Sequence, residues 1–141
     1  MRFSLMGAVV AVSLLGAGLA QAQTVNFMAT LKGADEVPAN DSAGTGMVMA
    51  KLDTATKTFT YNVTYSGLTG PAIAAHFHGP AAPGANAGPV IPLTSLASPV
   101  DGSATLTDAQ IADLEAGKWY FNIHTAAHKG GEVRGQLMAM K

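Results

Sequence analysis

TFTYNVTY, Thr58–Tyr65, alternates with a period of two. Phe59, Tyr61, Val63 and Tyr65 fall on one side; Thr58, Thr60, Asn62 and Thr64 fall on the other. Successive side chains of an extended backbone point to opposite faces, so alternating aromatic and β-branched residues make a half-buried strand. Similar segments lie on either side. Val25–Lys32 and Gly46–Leu52 precede it, with Asp53–Lys57 as a hairpin connection. Ala72–His78 follows the loop SGLTGP. A Gly/Pro/Ala-rich loop then runs from Gly79 to Pro89, and Val90–Leu93 is a further short strand. Ser103–Leu106, Lys118–His124 and Glu132–Met140 complete the set. One helix interrupts them: Thr107 is an N-cap, Gln110 completes a capping box, Ile111 and Leu114 face the core, and Gly117 ends it. Seven or eight short strands with turns between them imply an all-β, antiparallel sandwich or Greek-key barrel with one short helix.

The chain has 141 residues, no cysteine and a formal net charge of −1, which suits one folded domain. Its first residues read as a leader. Arg2 supplies a positive start, Phe3–Leu19 is nearly all apolar, and Ala20-Gln21-Ala22 has the form of a cleavage site. Residues 1–22 are therefore expected to be a cleaved signal peptide, with residues 23–141 as the mature domain in the periplasm or outside the cell. The apolar run is shorter than a membrane span, so no membrane anchor is expected after cleavage. No basic stripe appears, which argues against nucleic acid as a partner. Without cysteine there is no thiolate chemistry and no blue-copper site.

The chain has four histidines, and they fall in two short segments. In Ala72–His78, Ile73, Ala75 and Phe77 form the core-facing set, which turns His76 and His78 outward. In Trp119–His124, the apolar set is Trp119, Phe121 and Ile123, which turns Asn122 and His124 outward. His128 follows in the turn before Gly130-Gly131. Alternate residues of a strand lie about 7 Å apart, close enough for two imidazoles to converge on one ion. If the two strands are neighbours, His76, His78, His124 and His128 form an all-nitrogen metal site. The affinity order favours copper for such a set, with zinc second. No acidic cluster suggests calcium.

Asn122, Glu132 and Arg134 are the residues expected behind these ligands. Asn122 or Glu132 would orient a histidine, and Glu132 and Arg134, two apart on one strand face, would otherwise pair to fix the last strand. Asp35-Glu36 reads as a polar turn. Met47, Met49, Met138 and Met140 read as core packing rather than as copper ligands. No nucleophile elbow is present, so a hydrolase has no support.

The blocks ATLKGADEVP, YNVTYSGLTGP, AHFHGPA, GKWYFNIHT and GGEVRGQL, in this order, closely resemble the CHRD (chordin-type) domain over about Phe27–Met138. The resemblance implies an immunoglobulin-like β-barrel, and the chain looks like the single-domain exported microbial type. Its His76, His78 and His124 fall in the matched blocks. Animal members antagonise growth factors, but their cysteine-rich modules are missing here and that role does not carry over. The HxH pair on a barrel wall is also similar in arrangement to Cu/Zn superoxide dismutase, without that family's zinc subsite or disulfide. The expected function is an exported copper-binding protein with no assigned catalysis. The alternatives are a superoxide-dismutase-like redox enzyme and a metal-free adhesion module.

Overall fold

The computed structural model describes residues 21–141 and, singly, Ala11 and Gly16. The expected signal peptide therefore lies almost wholly outside the described residues. Among those described, no helix is long and apolar enough to cross a membrane.

Nine strands form one antiparallel sheet: β1 (Thr24–Lys32), β2 (Thr45–Asp53), β3 (Thr58–Ser66), β4 (Ala72–His78), β5 (Pro89–Pro92), β6 (Val100–Thr105), β7 (Tyr120–Thr125), β8 (Val133–Gln136) and β9 (Met138–Ala139). Their order is β5-β4-β7-β8-β1-β2-β3-β6, with β9 beside β1. The sheet curls into a nearly closed barrel, so β3 and β4, far apart in the ladder, meet across the core. Phe59 and Tyr61 of β3 meet Phe77 of β4 edge-on, with ring centroids 5.3 and 4.9 Å apart, a favoured aromatic geometry. Trp119 and Phe121 complete this aromatic centre, and Phe59, Phe77, Trp119 and Phe121 are all fully buried. The opening TFTYNVTY is thus the strand that supplies one wall of the core, as its alternation predicts.

The helix α1 (Asp108–Glu115) starts with the expected capping box between Thr107 and Gln110. Leu114 is buried and Ile111 packs beside the core. Gly117 follows the helix with a φ of +74°, the left-handed conformation that glycine adopts without steric cost.

Two expectations change. Ile73 was expected in the core, but it is 53% exposed. The register between β4 and β7 shifts between Ala72 and Ala74, and a bulge of this kind breaks the alternation locally. The single last strand, expected over Glu132–Met140, is two strands. The chain leaves β7 at Leu137, whose N–H donates to the carbonyl of Trp119, and then pairs with β1.

Candidate metal centre

β4 and β7 are direct neighbours. Ala74 pairs with His124, His76 with Asn122, and His78 with Tyr120. This adjacency brings the HxH segment and the NIHT segment onto one outer face. Each of His76, His78 and His124 offers a ring nitrogen, and the three nitrogens lie within 4.8 Å of one another. Phe77 between the first two is fully buried, so core packing of one residue aims both its neighbours.

His76 Nδ1 and His124 Nε2 are 3.2 Å apart. An ion about 2.0–2.1 Å from each nitrogen would see them at an angle of roughly 100°, within the range of tetrahedral and tetragonal centres. The far nitrogen of His124, Nδ1, is 2.8 Å from the carbonyl oxygen of Lys129 and donates to it. That bond fixes the tautomer and leaves Nε2 free to ligate, the usual arrangement behind a metal-bound histidine.

His78 differs. It faces outward as expected but is only 8% exposed. The loop Gly79–Gly88 folds back over the outer face of β4, β7 and β8 and covers it. Side chains from all three strands hold that loop. His78 Nδ1 donates to Ala87 O at 2.9 Å, Tyr120 Oη donates to the same carbonyl, Gln136 donates to Ala81 O, and Arg134 donates to Ala85 O and Asn86 Oδ1. The rings of His78 and Tyr120 stack at 4.6 Å and 2°, and the Arg134 guanidinium lies 3.5 Å from the centre of the Tyr120 ring. Gly79 permits the start of this loop: a side chain there would run into Trp119 and the Lys118 carbonyl.

The second nitrogen of His78, Nε2, lies 2.8 Å from the side-chain oxygen of Asn122, Oδ1. Both ring nitrogens are therefore engaged, and His78 must release Asn122 to bind an ion through Nε2. Burial pushes the pKa of His78 down, while its bonds to Ala87 and Asn122 pull the other way. Burial, and then the charges of His124 and His78, lower that of His76. Both are thus biased toward the neutral imidazole that a metal requires.

Asn122 turns its oxygen to Nε2 and its amide N–H toward Glu36, and so links the histidine to that carboxyl. Glu36 was expected in a polar turn at the surface, beside Asp35. Asp35 is exposed there, but Glu36 is only 5% exposed, and its Oε1 has no partner. Burial raises its pKa to about 7 against the opposing effects of Arg134 and Asn122. Gly131, at a φ of +127°, makes room for this carboxyl, and a side chain there would occupy the same space.

The other expected residues separate. His128 is not one of the three converging histidines; it lines a neighbouring groove with Glu36, Asn40 and Gly131. Of the three residues expected behind the ligands, Asn122 touches a histidine directly. Glu132 is fully buried and touches none: its carboxylate accepts from Ser42, Thr125, and both the backbone and hydroxyl of Thr69. Nor do Glu132 and Arg134 pair with each other. The ion pairs among the described residues are Lys32–Asp35 and Lys57–Asp108, both at the surface. Arg134 acts through Tyr120, which it clamps against His78. Tyr120, Glu36 and the loop were not singled out from sequence. The Tyr120 position alone, on the outward side of a histidine strand, was a signal for it.

The CHRD domain family model matches residues 27–137. No curated protein and no solved structure matches the chain. The match spans the barrel except the first residues of β1 and the short β9, and the chain belongs to the CHRD domain family.

Proposed function

We propose that this CHRD-domain protein is exported and binds copper at His76, His78 and His124, serving to hold, buffer or deliver the ion. The observation that carries the reading is the convergence of three histidines from two separate segments, two of them with nitrogens 3.2 Å apart. Isolated surface histidines do not explain why the far nitrogen of His124 is pinned by a backbone carbonyl. An all-imidazole donor set suits copper first and zinc second. The leader-like segment 1–22 supports a periplasmic or secreted location, where such an ion is met. His128 lies near enough in sequence to join from its turn, and its contribution is part of the same test.

Metal analysis of protein purified without a histidine tag and reconstituted with Cu(II) or Zn(II) tests this. Equimolar copper, with nitrogen hyperfine structure in its electron paramagnetic resonance spectrum, is expected. His76→Ala or His124→Ala should abolish it, and His128→Ala should leave most of it. Substoichiometric metal that does not change in His76→Ala would leave a metal-free interaction module as the reading.

A second reading follows from the ligand count. Three histidines leave a coordination position open, as in catalytic rather than structural sites. A superoxide-dismutase-like activity would use that position, but one of its two candidate guiding charges, Arg134, is only 2% exposed. Lys129, exposed beside His124, is the other. Superoxide consumption by the copper-loaded protein no faster than by aqueous copper would leave binding alone.

A further inference from the structure

The chain contains seven methionines, of which Met1 and Met6 belong to the leader-like segment. None of the remaining five packs in the core. Met47, Met49, Met138 and Met140 are 41, 40, 55 and 44% exposed, and four of the five large hydrophobic side chains exposed among the described residues are therefore methionines. The fifth methionine, Met28, is half-buried. The expectation that Met47, Met49, Met138 and Met140 pack in the core is overturned by their exposure, and for the first two the pairing of β1 with β2 gives the reason. There Phe27, Ala29 and Leu31 point inward with Val48, Ala50 and Leu52, which turns Met28, Met47 and Met49 out.

The five are also together. Met138 of β9 pairs with Met28 of β1, and Met28 pairs with Met49 of β2. Three methionines thus stand in one row across three strands. Directly opposed residues have Cβ atoms about 4.5–5.5 Å apart. Met47 is the next outward residue on β2. Met140 enters from the other side, where it lines a groove of about 310 Å³ with Met49, Asn26, Asn62 and Asp101. The Met138 sulfur rests beside Gly117, and rotation about its flexible side-chain bonds brings it over the row.

We infer that this face is a second metal site, a thioether cluster for a soft monovalent ion, Cu(I), with Met28, Met49, Met138 and Met140 as its ligands. Neutral sulfur donors select Cu(I) over Cu(II), whereas imidazoles accept the harder ion. A face needed only for apolar contact could use leucine, isoleucine or valine. Here the residues set on its outward row are methionines. The sulfur atom is what the row has in common, and it is what the ion would recognise. The site lies on β9, β1 and β2, separated from the histidines by β8, and it does not depend on their reading.

The test uses Ag(I), a redox-inert stand-in for Cu(I), in chloride-free buffer, followed by the methionine methyl signals in NMR. Equimolar Ag(I) should shift the methyls of Met28, Met49, Met138 and Met140 in the purified protein. The same shifts should persist in a His76→Ala/His124→Ala variant, which separates this site from the histidine centre. Met49→Leu/Met138→Leu keeps the apolar volume at exposed positions and removes two sulfurs, so it should fold normally and lose the tight binding. Anaerobic Cu(I), delivered from a competing chelator, should give the same order of affinities. Ag(I) bound equally well by the leucine variant, or shifts confined to the histidine rings, would overturn the site. So would a wild-type protein that binds no Ag(I) yet self-associates through this face as strongly as the leucine variant does, because the face would then be an apolar contact surface.

Discussion

Two outer faces of the same barrel have opposite characters. On β4, β7 and β8 the outward side chains His78, Tyr120, Asn122 and Arg134 are all 8% exposed or less beneath the loop Gly79–Gly88, and His76 and His124 stand half-buried beside them. On β9, β1 and β2 the outward side chains are mostly methionines, threonines and lysines, and no loop of the described residues crosses them. Both faces follow from one rule, because core packing of the inward residues turns their neighbours out. The difference is made by the chain that crosses one face and not the other. Under the loop, polar groups lose water and must find partners. They do so in a chain from Glu36 through Asn122 to His78, and from Tyr120 and Arg134 to the loop carbonyls. On the bare face no such demand exists, and flexible thioethers stand free. The covered face holds its chemistry in place; the bare face leaves it mobile.

The sharpest way to break this contrast is at Glu132, whose carboxylate ties the covered side to two other loops through Ser42, Thr69 and Thr125. Glu132→Gln replaces one acceptor oxygen with a donor among donors. It should cost about 3 kcal/mol, the range for buried charge-assisted bonds, seen as a lower urea midpoint with an unchanged slope. The cost depends on pH. Burial alone would raise the Glu132 pKa, but bonds from Thr69, Thr125 and Ser42 outweigh it and hold it below the ordinary 4.5. The wild-type advantage is therefore full above 4.5 and shrinks as the pH falls through the lowered value.

Glu36 carries the opposite sign. Its folded pKa of about 7 lies above the ordinary 4.5. Its favourable contribution is full below 4.5 and is lost as the pH rises through about 7. Glu36→Gln keeps the neutral shape, so the variant should match wild type in acid and exceed it near pH 8 by roughly 2 kcal/mol, a figure reduced for solvent reaching the groove beside it. Thermal unfolding across this pH range measures both substitutions. A Glu36→Gln profile parallel to wild type would mean that the carboxyl is not desolvated.

A smaller effect is expected at Asn122. Its side-chain oxygen occupies the Nε2 of His78, so binding an ion through that nitrogen must break a hydrogen bond worth about 1 kcal/mol. Asn122→Ala should lower stability by a similar amount. It should also tighten copper binding by up to about tenfold, because 1.4 kcal/mol corresponds to a factor of ten. Weaker copper binding in this variant would instead make Asn122 a support for the ligand.

These residues also mark how far the sequence could be read. The strands around TFTYNVTY and AHFHGP were legible because large apolar residues occupy every second position. Once Phe77 and Ile123 are assigned inward, His76, His78 and His124 must point outward. The neighbourhood of β4 and β7 was only a condition at that stage, and it holds. The cover over that face was not legible. It rests on contacts between segments far apart in the chain, such as Arg134 with Asn86 and Asn86 with Val37, and no local pattern encodes them. Glu36 shows the same limit: its neighbours read as a turn, and only the approach of Gly131 and Asn122 buries it. Ile73 was misplaced because a bulge shifts the register by one residue. The methionines were misread for a different reason. In MVMAKL, both alternating sets begin with apolar residues, so hydrophobicity alone does not say which is inside.

The smallest stability effect is expected on the bare face, and its smallness is the informative result. Met49 is 40% exposed between Met28 and Asn62 on its neighbouring strands. Met49→Thr exchanges a flexible apolar residue for a β-branched one with good strand propensity. It removes some apolar contact with Met28 and gains a stiffer side chain, and the two changes oppose each other. The expected difference in unfolding free energy is within about 0.5 kcal/mol, as for other surface positions without special contacts. Denaturant unfolding of the metal-free protein measures it. If Met49 were held in a tight apolar cluster with Met28 and Met138, the loss would reach the cost of removing a buried methionine, about 2 kcal/mol or more. That outcome would make the face a packed structural element and erase the contrast with the covered side. A near-zero change in the metal-free protein, together with a measurable one in the presence of Ag(I), would mean that the thioether contributes through the ion and not through packing.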